Sequence, residues 1–211
     1  MKLYHFRNKK YGLKSIKERR LKIARIHELN DPFELLGCDL SDTIMREAFN
    51  KMKENLSKNN GLVCFSQNWH SPVQWAHYSD NHKGICLGFE ISEKWLLKVK
   101  YQTNRLIDPE KFDIEFMQKV ISTKFSHWKY EKEYRLFIGL DITEEEKGLY
   151  YTDFSKNLEL KQVIVGCNSE LTRRDIKIAL GDLHKKVEVF KTRPAFKTFN
   201  IVRNRTKKLW V

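Results

Sequence analysis

Residues 62–89, LVCFSQNWHSPVQWAHYSDNHKGICLGF, contain the pattern that decides the fold. The stretch begins with the apolar run Leu62–Ser66 and ends with a second apolar run from Gly84, each typical of a buried strand. Between them, Ser71 followed by Pro72 marks a helix start, because a serine hydroxyl caps the first turn and proline suits its first position. We expect this helix to end at Ser79. The stretch therefore predicts strand, short helix and strand.

Further elements are predicted on both sides of this stretch, at irregular spacing. Strands are expected at 2–6, 21–26, 130–140, 160–165, 187–190 and 199–202, and helices at 12–19, 42–57, 108–125 and 169–183. Strands and helices do not alternate regularly, which favours the α+β class over a doubly wound sheet. No linker rich in Gly, Pro or Ser interrupts the pattern, so we expect a single domain over residues 1–211.

The composition limits the class of protein. Of the 211 residues, 41% are hydrophobic, which is enough to form a core. No uncharged apolar run reaches the ~18 residues of a membrane helix, and the N-terminus lacks the apolar region of a signal peptide. The four cysteines are scattered, as in a reducing compartment, so we expect a cytoplasmic protein without disulfides. Neither G-x-G-x-x-G nor a P-loop motif is present, so a Rossmann nucleotide site is not supported.

The net charge of +13 is concentrated at the two ends of the chain. Residues 1–25 contain ten lysines and arginines against one glutamate, and residues 191–211, which include Lys207 and Lys208, contain seven without an acid. If the ends meet, they form one basic face that attracts nucleic acid, an acidic protein or a polyphosphate. The alternative is a solvated surface that keeps the protein soluble.

Polar or aromatic side chains stand out in the first strand and in the short helix. His5 could offer a ring nitrogen to a ligand hydroxyl, or its ring could simply be satisfied by backbone. Trp75 and Tyr78 share a helix face and could stack a flat heteroaromatic ring. Both rings could equally well cover the sheet.

The segment Tyr130–Leu140 places charges inside an apolar strand. Alternation puts Glu131, Glu133 and Arg135 on one face, and two carboxylates there are costly unless something uses them. The alternative is an ion pair of Arg135 with either glutamate on an exposed face.

These segments resemble a bacterial family without an assigned function, domain-of-unknown-function family 2971. The resemblance rests on LYHF at 3–6, LNDPFE at 29–34, CFS at 64–66, WAHYSDNHKGICLGF at 75–89 and WKYEKEYR at 128–135, with VIVGCNSE at 163–170.

A more distant resemblance is to the His-Tyr-Glu type of ADP-ribosyltransferase. It rests on the order of His5 in the first strand, Tyr78 after the middle helix and Glu133 in a later strand. The resemblance implies a split, two-sheet core with flanking helices that binds NAD without a glycine fingerprint. It implies that Glu133 is catalytic, with Glu131 as the competing choice. Implied NAD contacts are His5, Phe6, Ser66, Trp75 and Tyr78.

The leading hypothesis is therefore an NAD-dependent ADP-ribosyltransferase or NAD glycohydrolase without a metal, of the kind that serves as a toxin or phage-defence effector. A fixed carboxylate stabilises the oxocarbenium-like charge that develops as nicotinamide leaves. The acceptor would be nucleic acid or protein. The alternative is a non-catalytic nucleic-acid-binding module that uses the basic face. A metal-dependent nuclease built on His77 and His82 ranks last, because no ligand spacing supports it.

Overall fold

The structure is a computed structural model that describes residues 1–106, 113–206 and 210, without the side chain of Ile114. The strands are β1 Lys2–Arg7, β2 Arg20–Arg25, β3 Asn60–Ser66, β4 Ile85–Ile91, β5 Leu96–Lys98, β6 Lys100–Gln102, β7 Thr123–Phe125, β8 Glu133–Gly139, β9 Glu145–Glu146, β10 Leu149–Asp153, β11 Leu158–Val165, β12 Glu188–Pro194 and β13 Ile201–Arg203. The α-helices are α1 Lys9–Glu18, α2 Thr43–Asn59, α3 Pro72–Tyr78, α4 Ile114–Ser122 and α5 Arg173–Leu180.

The chain divides into two compact units, each made of separated segments. Unit 1 comprises Met1–Leu21, Phe65–Lys94 and Thr152–Val211. Unit 2 comprises Lys22–Cys64 and Trp95–Tyr151. The expectation of a single domain over residues 1–211 stays a prediction.

Unit 1 contains a mixed sheet in the order β13-β12-β11-β4-β1. The strands β11 and β12 are parallel, whereas β12–β13, β11–β4 and β4–β1 are antiparallel. The last residue of β3, Ser66, pairs with Tyr4 of β1. The strand β4 is buried except at Glu90, which explains its almost continuous apolar sequence, and in β11 the apolar end Val163–Val165 is buried in the same way.

The core of unit 1 joins the sheet to α3. Phe6, Cys86, Ile164 and Phe190 come from four neighbouring strands and pack with Trp75 of the helix. The Ser71 hydroxyl accepts a hydrogen bond from the Gln74 amide and Pro72 follows the cap, as the sequence predicts. The helix therefore begins where its local chemistry dictates, and its buried face is directed at the strands.

Unit 2 is built from shorter strands and two helices. Ala24 of β2 pairs with Leu62 of β3, and β8 pairs with β3 and with β5. The strands β6 and β7 form a separate parallel pair. Phe49 of α2 packs against Phe116 and Val120 of α4, so the two helices share one apolar cluster.

The irregular mixture of helices and strands is confirmed, and most predicted elements are present with shifted ends. The segment 130–140 differs, because residues Ser126–Glu131 form a 3₁₀ helix that ends at Lys132, whose φ of 46° is left-handed. The strand therefore begins at Glu133, and the placement of Glu131 on the strand is wrong. The cap predicted at Ser169 is also wrong, because Thr172 and Asp175 form a capping box that starts α5.

Of the helix predicted over 108–125, the described residues show a helix only over Ile114–Ser122. Asp113 caps α4, and residues Thr123–Phe125 leave the helix to form β7. The predicted start at Asp108 lies outside the described residues. None of the helices in the described part of the chain is both long and apolar enough to cross a lipid bilayer.

Candidate functional site

The candidate ligand contacts of unit 1 lie on or beside β1 and α3. Phe6 is a core residue whose ring meets Trp75 edge-on at 5.2 Å between centroids, and Tyr78 packs against the same cluster. His5 is half-buried, with its ring centroid 5.6 Å from that of Phe65. Thus Phe6, Trp75 and Tyr78 come together in one cluster.

Trp75 has no exposed surface, and its indole Nε1 donates a 2.7 Å hydrogen bond to the carbonyl of Trp69. Its ring therefore covers the sheet, which was the alternative to ligand stacking. Ser66 is also buried, and its hydroxyl lies 2.9 Å from the carbonyl of Asn68 and 3.2 Å from Gln74 Oε1. In this arrangement Ser66 fixes the start of the loop that leads to α3.

The candidate catalytic glutamates belong to a buried ion-pair network in unit 2, formed by Glu34, Lys124, Glu131, Glu133 and Arg135. Lys124 Nζ lies 2.7 Å from Glu131 Oε2 and 3.0 Å from Glu133 Oε2. Arg135 Nε lies 2.9 Å from Glu133 Oε1. The alternative interpretation, an ion pair between Arg135 and a glutamate, therefore holds. The strand face that carries the pair is buried and not exposed, because Glu133 is only 4% exposed.

A third carboxylate completes the network. The guanidinium of Arg135 binds Glu34 through two nitrogens, at 2.7 Å and 3.0 Å, and donates a 2.9 Å hydrogen bond to the carbonyl of Ile121. Arg135 has no exposed surface. A buried guanidinium needs this number of acceptors, because each unsatisfied N–H would add to its desolvation cost.

The network fixes the charge of its members. Burial alone would raise the pKa of Glu133, but Arg135 and Lys124 outweigh burial and lower that pKa to about 2. Burial would likewise lower the pKa of Lys124, but Glu133 and Glu131 raise it above its ordinary value. Glu133 is therefore an ionised carboxylate at neutral pH, and its two oxygens already accept from cations.

Two further groups face Glu133. Burial raises the pKa of Tyr101 to about 12, and its hydroxyl accepts a 2.8 Å hydrogen bond from the Glu133 amide. Burial raises the pKa of the Cys64 thiol, and the Glu133 carboxylate raises it further. Both groups therefore stay neutral beside the carboxylate.

Lys124 also lines a cavity of unit 2, which has a volume of about 320 Å³. Phe33 and Phe125 form part of its wall and are partly exposed, and Arg105 lies over the Phe33 ring at 5.3 Å. Lys124 therefore belongs both to the ion-pair network and to the wall of this cavity.

A second candidate site lies at the end of the sheet of unit 1. We call it the hairpin surface, and it consists of Lys191, Arg193, Phe196, Lys197, Phe199, Arg203 and Arg205, on β12, β13 and the adjoining loops. Phe196 is 88% exposed and Phe199 is 99% exposed. Arg203 and Arg205 line two neighbouring hollows of about 370 Å³ and 580 Å³.

The cations of the hairpin surface bind backbone and rings. Lys191 Nζ donates to the carbonyl of Ser169 at 2.7 Å, and Arg193 lies over the Phe196 ring at 4.1 Å. Arg203 pairs with Glu188. Among the described residues, Lys191, Arg193, Lys197 and Arg205 have no acidic partner.

The basic residues at the start of the chain are arranged differently. Ion pairs join Lys9 to Glu170, Lys14 to Glu18, Arg19 to Asp182, Arg20 to Glu18, and Lys22 and Arg25 to Glu28. Much of the N-terminal positive charge is therefore neutralised locally, whereas after residue 190 only Arg203, among the described residues, has an acidic partner. Lys207 and Lys208 lie outside the described residues.

Glu34, Lys124, Phe196 and Phe199 were not predicted from the sequence to be functional residues. Glu34 is 101 residues from Arg135, and no local pattern signals such a pair. The two phenylalanines had a signal that could have been read, because they interrupt a basic segment without acids. The histidines of the nuclease hypothesis contact aromatic rings: His77 lies edge-on to Tyr78, and His82 is stacked on Trp75. Among the described residues, no three His, Cys, Asp or Glu side chains are grouped to hold a metal.

The chain is thus a mixed α/β protein with a buried ion-pair network in one unit and a basic aromatic surface in the other. Its residues 74–136 match the family described as Protein of unknown function (DUF2971). The matched range runs from α3 to β8 and includes Lys124, Glu131, Glu133 and Arg135. No curated protein and no solved structure matches the chain.

Proposed function

We propose that this protein binds nucleic acid through the hairpin surface. The observation that carries the proposal is the concentration of cations without acidic partners on β12, β13 and the adjoining loops. Phosphates bind where lysines and arginines release counterions, and cations already paired with carboxylates contribute less to such binding. Six of the ten N-terminal cations are paired in this way, so the proposed surface is narrower than a face shared by both ends of the chain.

The test measures how affinity for a labelled oligonucleotide depends on salt between about 50 and 200 mM. The logarithm of the association constant should fall linearly with the logarithm of salt, by about 0.9 for each phosphate contacted in a duplex and about 0.7 in a single strand. Arg205→Gln should lower that slope by the contribution of about one phosphate. Affinity that does not change with salt would contradict the proposal.

A matched control is Lys14→Gln, which removes one positive charge from a pair with Glu18. It should leave the slope unchanged, because its position is outside the hairpin surface. Equal effects of the two variants would show that net charge alone governs binding, and the hairpin surface would then have no special role.

The second candidate function is ADP-ribosyl transfer or hydrolysis with NAD as substrate, with nucleic acid or protein as acceptor and a toxin or defence role. The observation that favours it is that two carboxylates, Glu131 and Glu133, both form ion pairs with Lys124. Lys124 in turn lines the wall of a cavity. One ionised carboxylate beside the breaking nicotinamide–ribose bond is the group that this chemistry needs. It stands second because both oxygens of Glu133 accept hydrogen bonds from Lys124 and Arg135.

The test for this candidate is release of free nicotinamide from NAD by the full chain. Glu133→Gln should abolish release, and Glu131→Gln should lower it if Glu131 helps to position the substrate. Because both residues are buried, each variant also needs its free energy of unfolding measured. A folded wild type that neither binds NAD nor releases nicotinamide would eliminate this function.

A further inference from the structure

We infer that Phe196 and Phe199 stack on unpaired bases, so that the hairpin surface selects single-stranded nucleic acid over a duplex. The inference rests on the nucleic-acid binding proposed above and specifies the form of the ligand.

The two rings are exposed on a well-defined turn. The strands β12 and β13 pair from Thr192–Arg203 to Pro194–Ile201, and the Ala195 amide donates to the carbonyl of Asn200 at 2.8 Å. The turn between them displays both phenylalanines. Single exposed apolar residues are common on protein surfaces, but two aromatic rings three positions apart on a constrained turn form a patch that a partner can cover.

The hairpin is also anchored from the other side. The Ile201 amide donates to the carbonyl of His70 at 2.8 Å, and His70 Nδ1 lies 2.7 Å from the carbonyl of Ile201. The rings of Trp69 and His70 lie 3.8 Å apart between centroids and line the same hollow as Phe196. The backbone of the turn is therefore anchored at Ile201 before a ligand arrives, which reduces the entropy lost on binding.

The surroundings of the rings favour a nucleic acid over a lipid surface. Lys197 lies between the two phenylalanines, and the Arg193 guanidinium covers one face of Phe196 at 4.1 Å. Insertion of this ring into acyl chains would carry the guanidinium out of water, which is costly. A base can instead extend the stack of guanidinium and ring, while neighbouring cations bind the phosphates.

The preference for a single strand follows from the need for an accessible base face. In a duplex each base face is covered by its neighbours, so the rings of the hairpin would have to open the stack before binding. In a single strand the faces are accessible, and stacking on an aromatic side chain strengthens binding without demanding a particular sequence.

The experiment compares a labelled oligothymidylate with a duplex of the same length, at one salt concentration, for the full chain and its variants. Phe196→Leu and Phe199→Leu keep apolar volume but remove the ring, and each should weaken single-strand binding about ten-fold. Phe196→Tyr and Phe199→Tyr should retain it. Ile178→Leu, at an exposed apolar residue on α5, is the control and should have no effect.

The outcomes separate this inference from the proposed function. If oligonucleotides bind with the expected salt dependence but the leucine variants bind as well as wild type, nucleic-acid binding stands and the stacking inference fails. If neither oligonucleotide binds, both fail. Binding to phosphatidylglycerol vesicles that the leucine variants retain, without binding to oligothymidylate, would assign the hairpin surface to lipid instead. Loss of single-strand binding in the leucine variants, with duplex binding unchanged, supports the inference.

Discussion

Arg135 and Glu34, 101 residues apart in the chain, form a two-pronged ion pair inside unit 2, with Nη1–Oε1 and Nη2–Oε2 distances of 2.7 Å and 3.0 Å. The planar guanidinium matches the carboxylate, and its remaining donor Nε reaches Glu133. The pair therefore connects the segment after β2 to the strand β8 that follows it much later in the chain.

Arg135→Met should destabilise the protein by roughly 3–5 kcal/mol, because it leaves Glu34 buried without its ion-pair partner and Glu133 with Lys124 as its remaining cation. The measurement is urea unfolding followed by circular dichroism. Lys119→Met, which breaks the exposed pair with Glu115, is the control and should change the free energy of unfolding by less than ~0.5 kcal/mol. Similar losses in both variants would mean that the network contributes no more than a surface pair.

Acid should weaken the fold over a defined range of pH. The pKa of Glu133 is lowered from 4.5 to about 2, so its ionised form stabilises the folded state above pH 4.5. As pH falls from 4.5 to about 2, the unfolded chain takes up a proton that the folded chain does not, and stability drops by up to ~1.4 kcal/mol per pH unit. Urea midpoints across this range measure the effect.

Glu133→Gln serves as the comparison for the acid effect. The variant should be less stable at neutral pH, since Arg135 and Lys124 lose their shared carboxylate, but its stability should decline less steeply below pH 4.5. Identical slopes for wild type and variant would mean that Glu133 is not the group that titrates.

Gly84 stands where no side chain fits. A Cβ added there would lie 2.1 Å from the Arg7 carbonyl oxygen, a backbone atom that cannot move aside. Gly84→Ala should therefore cost about 1–3 kcal/mol in the free energy of unfolding. Gly139→Ala is the control, since its nearest neighbour is the side-chain oxygen of Asp141 at 2.7 Å, which can rotate away. A neutral Gly84→Ala would contradict the close approach of β1 and β4.

The thiols should differ in their rates of alkylation in the folded protein. Burial raises the pKa of Cys86 well above 9.0, and its side chain has no exposed surface. Cys167 is only half-buried. Iodoacetamide should therefore modify Cys167 first, as read by mass spectrometry of peptides, while Cys86 reacts only after unfolding. Early labelling of Cys86 would contradict its place in the core.

Local chemistry in the sequence predicts much of the fold. Ser71-Pro72 sets the start of α3, and the apolar runs at 62–66 and 84–91 become buried strands. The ends of elements were harder to predict where more than one polar residue could cap the same helix, as Ser169 and Thr172 could at the start of α5. The second cap prevailed because Asp175 completes a reciprocal pair of hydrogen bonds.

The candidate site was predicted in part. The strand pattern offered, as one alternative, an ion pair of Arg135 with Glu131 or Glu133, because residues two apart share a face, and the structure pairs Arg135 with Glu133. It could not identify Lys124 or Glu34, since contacts between distant segments follow from tertiary packing. Helical spacing left two interpretations of Trp75 open, because spacing does not distinguish a ring that covers a sheet from a ring that stacks on a ligand.

The interleaving of the two units along the chain has a consequence for synthesis on the ribosome. Every segment of unit 2 has been translated once Tyr151 is complete, whereas β4 then still lacks its partner β11. Until residues 158–165 emerge, one edge of β4 is left unpaired, and such an edge can recruit other chains. The nascent protein should accordingly be prone to aggregate, and dependent on chaperones, from the emergence of β4 until β11 has emerged.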